Sequence, residues 1–234
     1  MGNDVVDLSH PRCRGRVEDA RFLRRILTDR EASAVRRADD PDLALWRRWA
    51  AKEAAFKTVT VVRGEPPVFE HAAFEVEESA PGRGRVRWRD LAIRWTASGE
   101  TGEGWVHVVA WREESARRVR LEGGCARLAA VEHIPSDRFT GRELRAIHSE
   151  ASARVRLLAR AQLAALAGVP EAELEIVSPE GPPGRTPPRV LRSGRPWAWR
   201  IGLSHHGSLV AWVLARWADA EDPERPLVAP VLDA

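Results

Sequence analysis

The sequence predicts an α+β protein built as two similar lobes, each a helix packed on an antiparallel sheet. Three observations point there. Apolar residues recur at helical spacing up to Pro66-Pro67. Short strand-like runs separated by Gly-rich turns follow, as far as Trp111. Past Glu122-Gly123-Gly124 the same succession of helix and then strands starts again.

In order, Gly2 to Leu8 reads as a short strand around Val5-Val6. Arg21 to Arg37 reads as helix, with Phe22, Ile26, Leu23 and Leu27 toward one face. Thr28 and Glu31 form a capping box inside that stretch, so the helix breaks and restarts there. Asp40-Pro41-Asp42 opens another helix through about Val59, with Leu45, Trp49 and Phe56 at helical spacing. Strands are expected at 73–77, 84–88, 92–97 and 105–111. In the second half, Thr140 and Glu143 form another capping box before a long helix, 142–167, stopped by Gly168 and Pro170. A strand near Leu174 to Val177, a Pro/Gly-rich loop at 179–188 and a strand from Ile201 to Arg216 complete the pattern. The expected division is a first lobe at 1–124, a second at 125–221 and a Pro-rich tail at 222–234.

Composition narrows the function. Apolar stretches fall short of the ~20 residues a membrane span needs, and the N-terminus has no apolar leader, so neither a membrane nor export is expected. Cys13 and Cys125 lie far apart and outside any C-x-x-C pattern, which fits a reducing cytoplasm. A net charge of +3, carried almost entirely by Arg, suits an acidic or phosphorylated partner but is too mild for nucleic acid.

Trp49, Glu53 and Lys57 are spaced i, i+4, i+8 and form one stripe along a helix. Lys52 and Lys57 are the only lysines in a chain that otherwise uses Arg. Spacing alone is equally that of a solvated Glu–Lys pair worth ~0.2–0.5 kcal/mol. Asp4 in a short apolar strand is the more unusual feature. With Glu53 it would make a two-carboxylate magnesium site, and Lys57 would neutralise a diphosphate beside it. Leu203-Ser204-His205-His206-Gly207 offers a hydroxyl and imidazoles at a strand start. Adjacent strand residues point to opposite faces, so a phosphate clamp, or equally a plain turn with polar residues, is a better reading than a Ser–His nucleophile.

These ordered motifs resemble the 4'-phosphopantetheinyl transferase superfamily. Gly2-Asn3-Asp4 is similar to the family's Gly-x-Asp motif. Phe22 to Glu31 is similar to the F-x-x-R-x-L-T-x-x-E segment of the small holo-acyl-carrier-protein synthases. Trp49 to Lys57 is similar to the W-x-x-K-E-A-x-x-K helix. The resemblance implies Asp4 and Glu53 as metal ligands, Glu53 and Lys57 as catalytic groups, and Trp49, Lys52 and Lys57 at the cofactor. Gly194-Arg195-Pro196 and Leu203-Ser204-His205 resemble the N-terminal lobe of the larger, surfactin-synthetase-activating type, which implies Arg195, Ser204 and His205 on the coenzyme A phosphates. The lobe order is reversed relative to that type. Val6 stands where the larger type has a third acid, Asp7 follows as in the small synthases, and His206 replaces the usual second serine.

The resemblance implies a pseudo-dimeric fold and transfer of 4'-phosphopantetheine from coenzyme A to a serine of an acidic apo carrier protein, with Mg²⁺. Glu53, directly or through a metal-bound water, is the implied base. One chain would supply both lobes and act as a monomer, and six Arg between 12 and 25, Arg21 and Arg24 among them, would meet the carrier. The alternative is a catalytically silent carrier-binding scaffold of the same fold.

Overall fold

The computed structural model describes residues 1–99, 104–113, 119–128, 134–178 and 187–217. The tail from 222 and most of the 179–188 loop lie outside them. Two five-stranded antiparallel sheets carry the fold, as the alternation of helical and strand patterns predicts. The first contains β1 (Gly2–Asp7), β2 (Glu75–Ala80), β3 (Arg83–Trp88), β4 (Leu91–Ser98) and β5 (Trp105–Arg112), in the order β1-β5-β4-β3-β2. The second contains β6 (Val119–Arg127), β7 (Leu174–Val177), β8 (Arg189–Arg192), β9 (Arg195–His206) and β10 (Leu209–Trp217), in the order β6-β10-β9-β8-β7. The two orders are the same pattern repeated. Because β6 pairs with β10, the sheets divide the chain between 112 and 119, ahead of the expected boundary at 124.

Helices α1 (Ala20–Ile26) and α2 (Asp29–Arg36) replace one stretch, broken at Thr28 as its capping box requires. Helix α3 (Pro41–Arg63) starts on Asp40, whose carboxylate accepts from Leu43 N, and ends at left-handed Gly64. It runs four residues beyond the expected end at Val59. Ala50, Ala51, Ala54 and Ala55 are fully buried, and these short side chains let the first sheet lie close against α3. Gly2 takes this furthest: a Cβ there would sit 2.4 Å from Ala54 O and 2.7 Å from Lys57 Cβ.

The long helix expected at 142–167 is two helices, α4 (Gly141–Leu144) and α5 (Glu150–Ala167), because Ser149 caps a fresh start by accepting from Ser152 N. The single strand expected at 201–216 is the hairpin β9–β10. Gly207, at φ 57°, makes the turn with Ser208, a Gly-Ser pair after two histidines that separates the two strands. β6 and β8 were not expected at all.

Each lobe is locked by the same buried device. In the first, the capping-box Glu31 holds Thr28 N, reaches across to Val76 N on β2, and pairs with Lys52 on α3 at 2.8 Å. In the second, the capping-box Glu143 holds Thr140 N, reaches to Ile176 N on β7, and pairs with Arg160 on α5 at 3.1 Å. One turn earlier on each long helix an arginine, Arg48 or Arg156, bonds the carbonyl four residues back. Identical roles in identical places mark the lobes as repeats of one design, which the residues themselves barely disclose.

The second sheet lies between α5 and the first lobe. Val210, Trp212 and Leu214 of β10 pack with Val155, Ala159 and Leu163 of α5, while Leu209 and Ala211 pack with Val5. No helix among the described residues is long and apolar enough to cross a membrane.

Candidate active site

β1 is an edge strand, bonded to β5 on one side only, so its outward main-chain groups need other partners. They find side chains. Lys57 Nζ donates to Asn3 O at 2.8 Å, Val5 N donates to Ser204 Oγ at 3.1 Å, and Asp7 N donates to His206 Nδ1 at 3.0 Å. The seam between the lobes is therefore stitched by side chains rather than by a strand pair, and the chemistry-bearing residues sit along it.

Strand alternation turns Asp4 to the α3 side, with Gly2 and Val6. Its Oδ1 lies 2.8 Å from Lys57 Nζ and accepts from Ser204 Oγ at 3.0 Å. Burial pushes the Asp4 carboxyl above its ordinary range; Lys57 opposes this and the nearby charge of Glu53 adds to it. Glu53 lies one helical turn before Lys57, with Oε1 3.5 Å from His71 Nε2 and no hydrogen bond between them. One turn earlier still, Trp49 is half-buried and stacked between Phe22 and His71, with ring centroids 5.7 and 4.5 Å away. The Trp49–Glu53–Lys57 stripe and Asp4 are brought together as the spacing implies.

Three clefts meet at these groups. One of about 470 Å³ is lined by Asp4, Glu53, Trp49 and His205 on one side and by Arg12, Arg16 and Arg25 on the other. A smaller one of about 260 Å³ has Asp4, Lys57, Ser204 and His205 facing His148, Ser152, Arg156 and Ser178. The largest, about 670 Å³, opens from Glu53 and Lys57 onto Phe56, Val68, Phe69 and Ile201 and is mainly apolar.

His205 and His206 face opposite ways. His205 shares the face of Val210, toward α5, where its ring stands 6.1 Å from His148. Partial enclosure, and then the positive charges of His148, Lys57 and Arg156, hold His205 below its usual value. A polyanion in the small cleft would reverse that second influence. Arg156 is itself buried, bonded through Nη1 to Ser152 with its Nε unpartnered, which leaves an N–H for an acceptor. Sequence reasoning missed His148, Ser152, Arg156 and Ser178. The available signal was an arginine next to Val155 on α5, one turn after Ser152 and one turn before Arg160.

Two expected cofactor residues lie elsewhere. Lys52 is fully buried and its ammonium is consumed by Glu31 and by the carbonyls of His71 and Phe74. Its position, one residue before Glu53, turns it about 100° around the helix, into the core. Arg195 opens β9 in the tight β8–β9 turn, nine residues before Ser204, and a strand's ~3.3 Å rise per residue puts it roughly 30 Å along the strand from that hydroxyl. Arg21 and Arg24 are exposed on α1, whereas Arg12, Arg16 and Arg25 face the cleft.

Asp7 is a tether. Its Oδ2 accepts from Ser208 N at 3.0 Å and Ser208 Oγ at 2.9 Å, across the lobe seam. Burial alone would raise its carboxyl, but hydrogen bonds from Ser9 and Ser208 outweigh burial and bring it down to about 2. Gly207 permits this approach, since a Cβ there would sit 2.6 Å from Asp7 Oδ2.

Among the described residues no three acidic, His or Cys side chains cluster as a metal cage. Asp4 and Glu53 nevertheless suit a hard divalent ion that takes one or two carboxylates and fills its shell with water and phosphate oxygens. Burial raises the Asp4 carboxyl and the nearby charge of Glu53 adds to it, and a bound cation would offset both.

The fold and this seam define a two-lobed α+β protein with two carboxylates and a lysine gathered where three clefts meet. Comparison with known proteins narrows the class. The family model of the 4'-phosphopantetheinyl transferase superfamily matches residues 1–110. A holo-[acyl-carrier-protein] synthase of Shewanella frigidimarina is 33% identical over 94 residues, 40% of this chain and 72% of the relative. A second such synthase, from Jannaschia sp., is 26% identical over 136 residues, 57% of this chain and 72% of the relative. The chain belongs to the 4'-phosphopantetheinyl transferase superfamily and is a phosphopantetheinyl transferase.

Proposed function

We propose that the enzyme moves 4'-phosphopantetheine from coenzyme A to a serine of an apo carrier protein and releases adenosine 3',5'-bisphosphate. The observation that supports this most directly is the convergence of Asp4, Glu53 and Lys57 where the three clefts meet. The carrier serine enters from the arginine-lined cleft. Its Oγ forms a bond to the β-phosphorus as the bond from that phosphorus to the bridging oxygen breaks. Glu53 accepts the serine proton, and Lys57 offsets the charge that grows on the departing phosphate. Arg156, His148 and His205 line the small cleft on the phosphate side, and the apolar cleft receives the pantetheine arm. Magnesium, held by Asp4 and Glu53, supplies charge neutralisation of the diphosphate when bound.

In this reading the first lobe carries the chemistry, the second lobe carries the coenzyme A side, the chain acts as a monomer, and the cytoplasm, where Cys13 and Cys125 stay reduced, is its compartment. A catalytically silent scaffold has no need of Asp4, Glu53 and Lys57 in one place. The test is mass spectrometry of candidate apo-carriers incubated with the enzyme, coenzyme A and Mg²⁺. The expected result is a mass gain of one phosphopantetheine on one serine. Carriers that stay unmodified throughout sink the proposal.

A further inference from the structure

We infer that Ser204 is a positioning residue that clamps Asp4, and that it does not hold a coenzyme A phosphate. The inference rests on the transferase reading above and assigns a different task to one of its residues. The even residues of β9 face β1 and meet its odd residues in turn. Gly202 makes room for Asn3, whose Oδ1 would lie 2.8 Å from a Cβ at 202; Ser204 meets Val5; His206 meets Asp7. In this ladder Ser204 is 5% exposed. Its one proton is committed: the hydroxyl accepts from Val5 N at 3.1 Å and donates to Asp4 Oδ1 at 3.0 Å. A phosphate oxygen could be bonded only by taking that proton away from Asp4. His205, on the opposite face, has no such commitment and lies open to the small cleft.

The geometry also explains why the clamp comes from the second lobe. Asp4 sits on an edge strand, and Lys57 alone holds Oδ1 from one side. A lone ion pair leaves the carboxylate free to swing about the Lys57 bond, and Ser204 adds a second direction from across the seam. With both bonds in place, the Asp4 carboxylate is held in one orientation at the cleft it shares with Glu53. The second lobe thus acts on the first lobe's carboxylate through one hydroxyl.

The experiment pairs turnover with binding. Wild-type enzyme is first shown to modify an apo-carrier; if it modifies none, the transferase reading fails before any substitution is made. Ser204→Ala is then compared for kcat, and for coenzyme A Kd by calorimetry without carrier. Positioning predicts a kcat lowered by roughly 10–100-fold with Kd within about twofold of wild type. A Kd weakened by roughly tenfold or more, with kcat at saturation intact, overturns the inference in favour of a phosphate contact. Should Ser204→Ala fail to fold, hydrogen exchange of the Val5 amide in the wild-type protein decides. Exchange that is unchanged or slower on adding coenzyme A shows that the hydroxyl stays on β1. Faster exchange shows that it leaves for the ligand, and the inference falls.

Discussion

Glu53 and Lys52 are neighbours in sequence with opposite fates, and one residue's rotation around α3 separates them. Glu53 looks into two clefts, so its charge is available for chemistry. Replacing it by Gln keeps the shape and removes the base. Transfer should fall by roughly 10²–10⁴-fold while the melting temperature stays put, and a fully active Glu53→Gln enzyme would refute the assignment. Lys52 has no water to return to and no phosphate to reach. Lys52→Met leaves Glu31 buried without its cation, which should cost about 3–5 kcal/mol in urea unfolding. The folded remainder should bind coenzyme A normally, which isothermal titration can check. The i, i+4, i+8 spacing placed 49, 53 and 57 on one helix face because period alone fixes a face. It misjudged Lys52 because charge type was allowed to outweigh angular position, and burial of a paired lysine has no signature in composition.

At the level of elements, the close approach of β1 to α3 is what brings Asp4 within 2.8 Å of Lys57. Gly2→Ala pushes a methyl against Ala54 O, so β1 must move outward. Overpacking of this kind costs roughly 1–3 kcal/mol, and the displaced Asp4 should lower transfer well beyond what the lost stability explains. Thermal unfolding and kcat measured together check it, and an unaffected enzyme would count against a tight β1–α3 contact. Capping boxes and Pro/Gly stops made the helix starts legible, because those signals are local. The β9–β10 hairpin carries a local signal, Gly207-Ser208 between polar His206 and apolar Leu209, but the run from Ile201 to Arg216 reads as one strand; the pairing of β10 to β6 is long-range and has no local signal. Arg195 was misplaced for a related reason: motif order places residues along the chain, whereas a 12-residue strand carries its two ends far apart.

Across the whole molecule, stability at low pH should depend on Asp7, which spans the lobe seam. Its folded-state carboxyl lies near 2, below the ordinary 3.8, so its tether is fully present above the ordinary value. That stability is lost as pH falls from about 4 toward 2, as the carboxylate takes up a proton. A pH series of melting temperatures should show this loss for the wild type and a flatter acid limb for Asp7→Asn. Equal slopes would remove Asp7 from the account. The arginines of the first lobe act at the same scale. If Arg21 and Arg24 meet an acidic carrier helix, reversing both to Glu should raise KM for carrier severalfold, mainly through association rate, and leave KM for coenzyme A unchanged. A change confined to coenzyme A would move the docking surface away from α1.

The repeated buried ion pairs have a consequence for what the two halves must preserve. One and five residues past Lys52 stand Glu53 and Lys57; one and five residues past Arg160 stand Ala161 and Ala165. The second scaffold keeps its fastening, Glu143 to Arg160, but presents methyl groups where the first presents an acid and a base. Its sequence answers to packing and to contact rather than to proton transfer: a sheet face for β1 to rest on, a hydroxyl at 204, an imidazole on each side of the strand. Shape admits many side chains where proton transfer admits few, so two halves with the same blueprint can come to share little of their lettering.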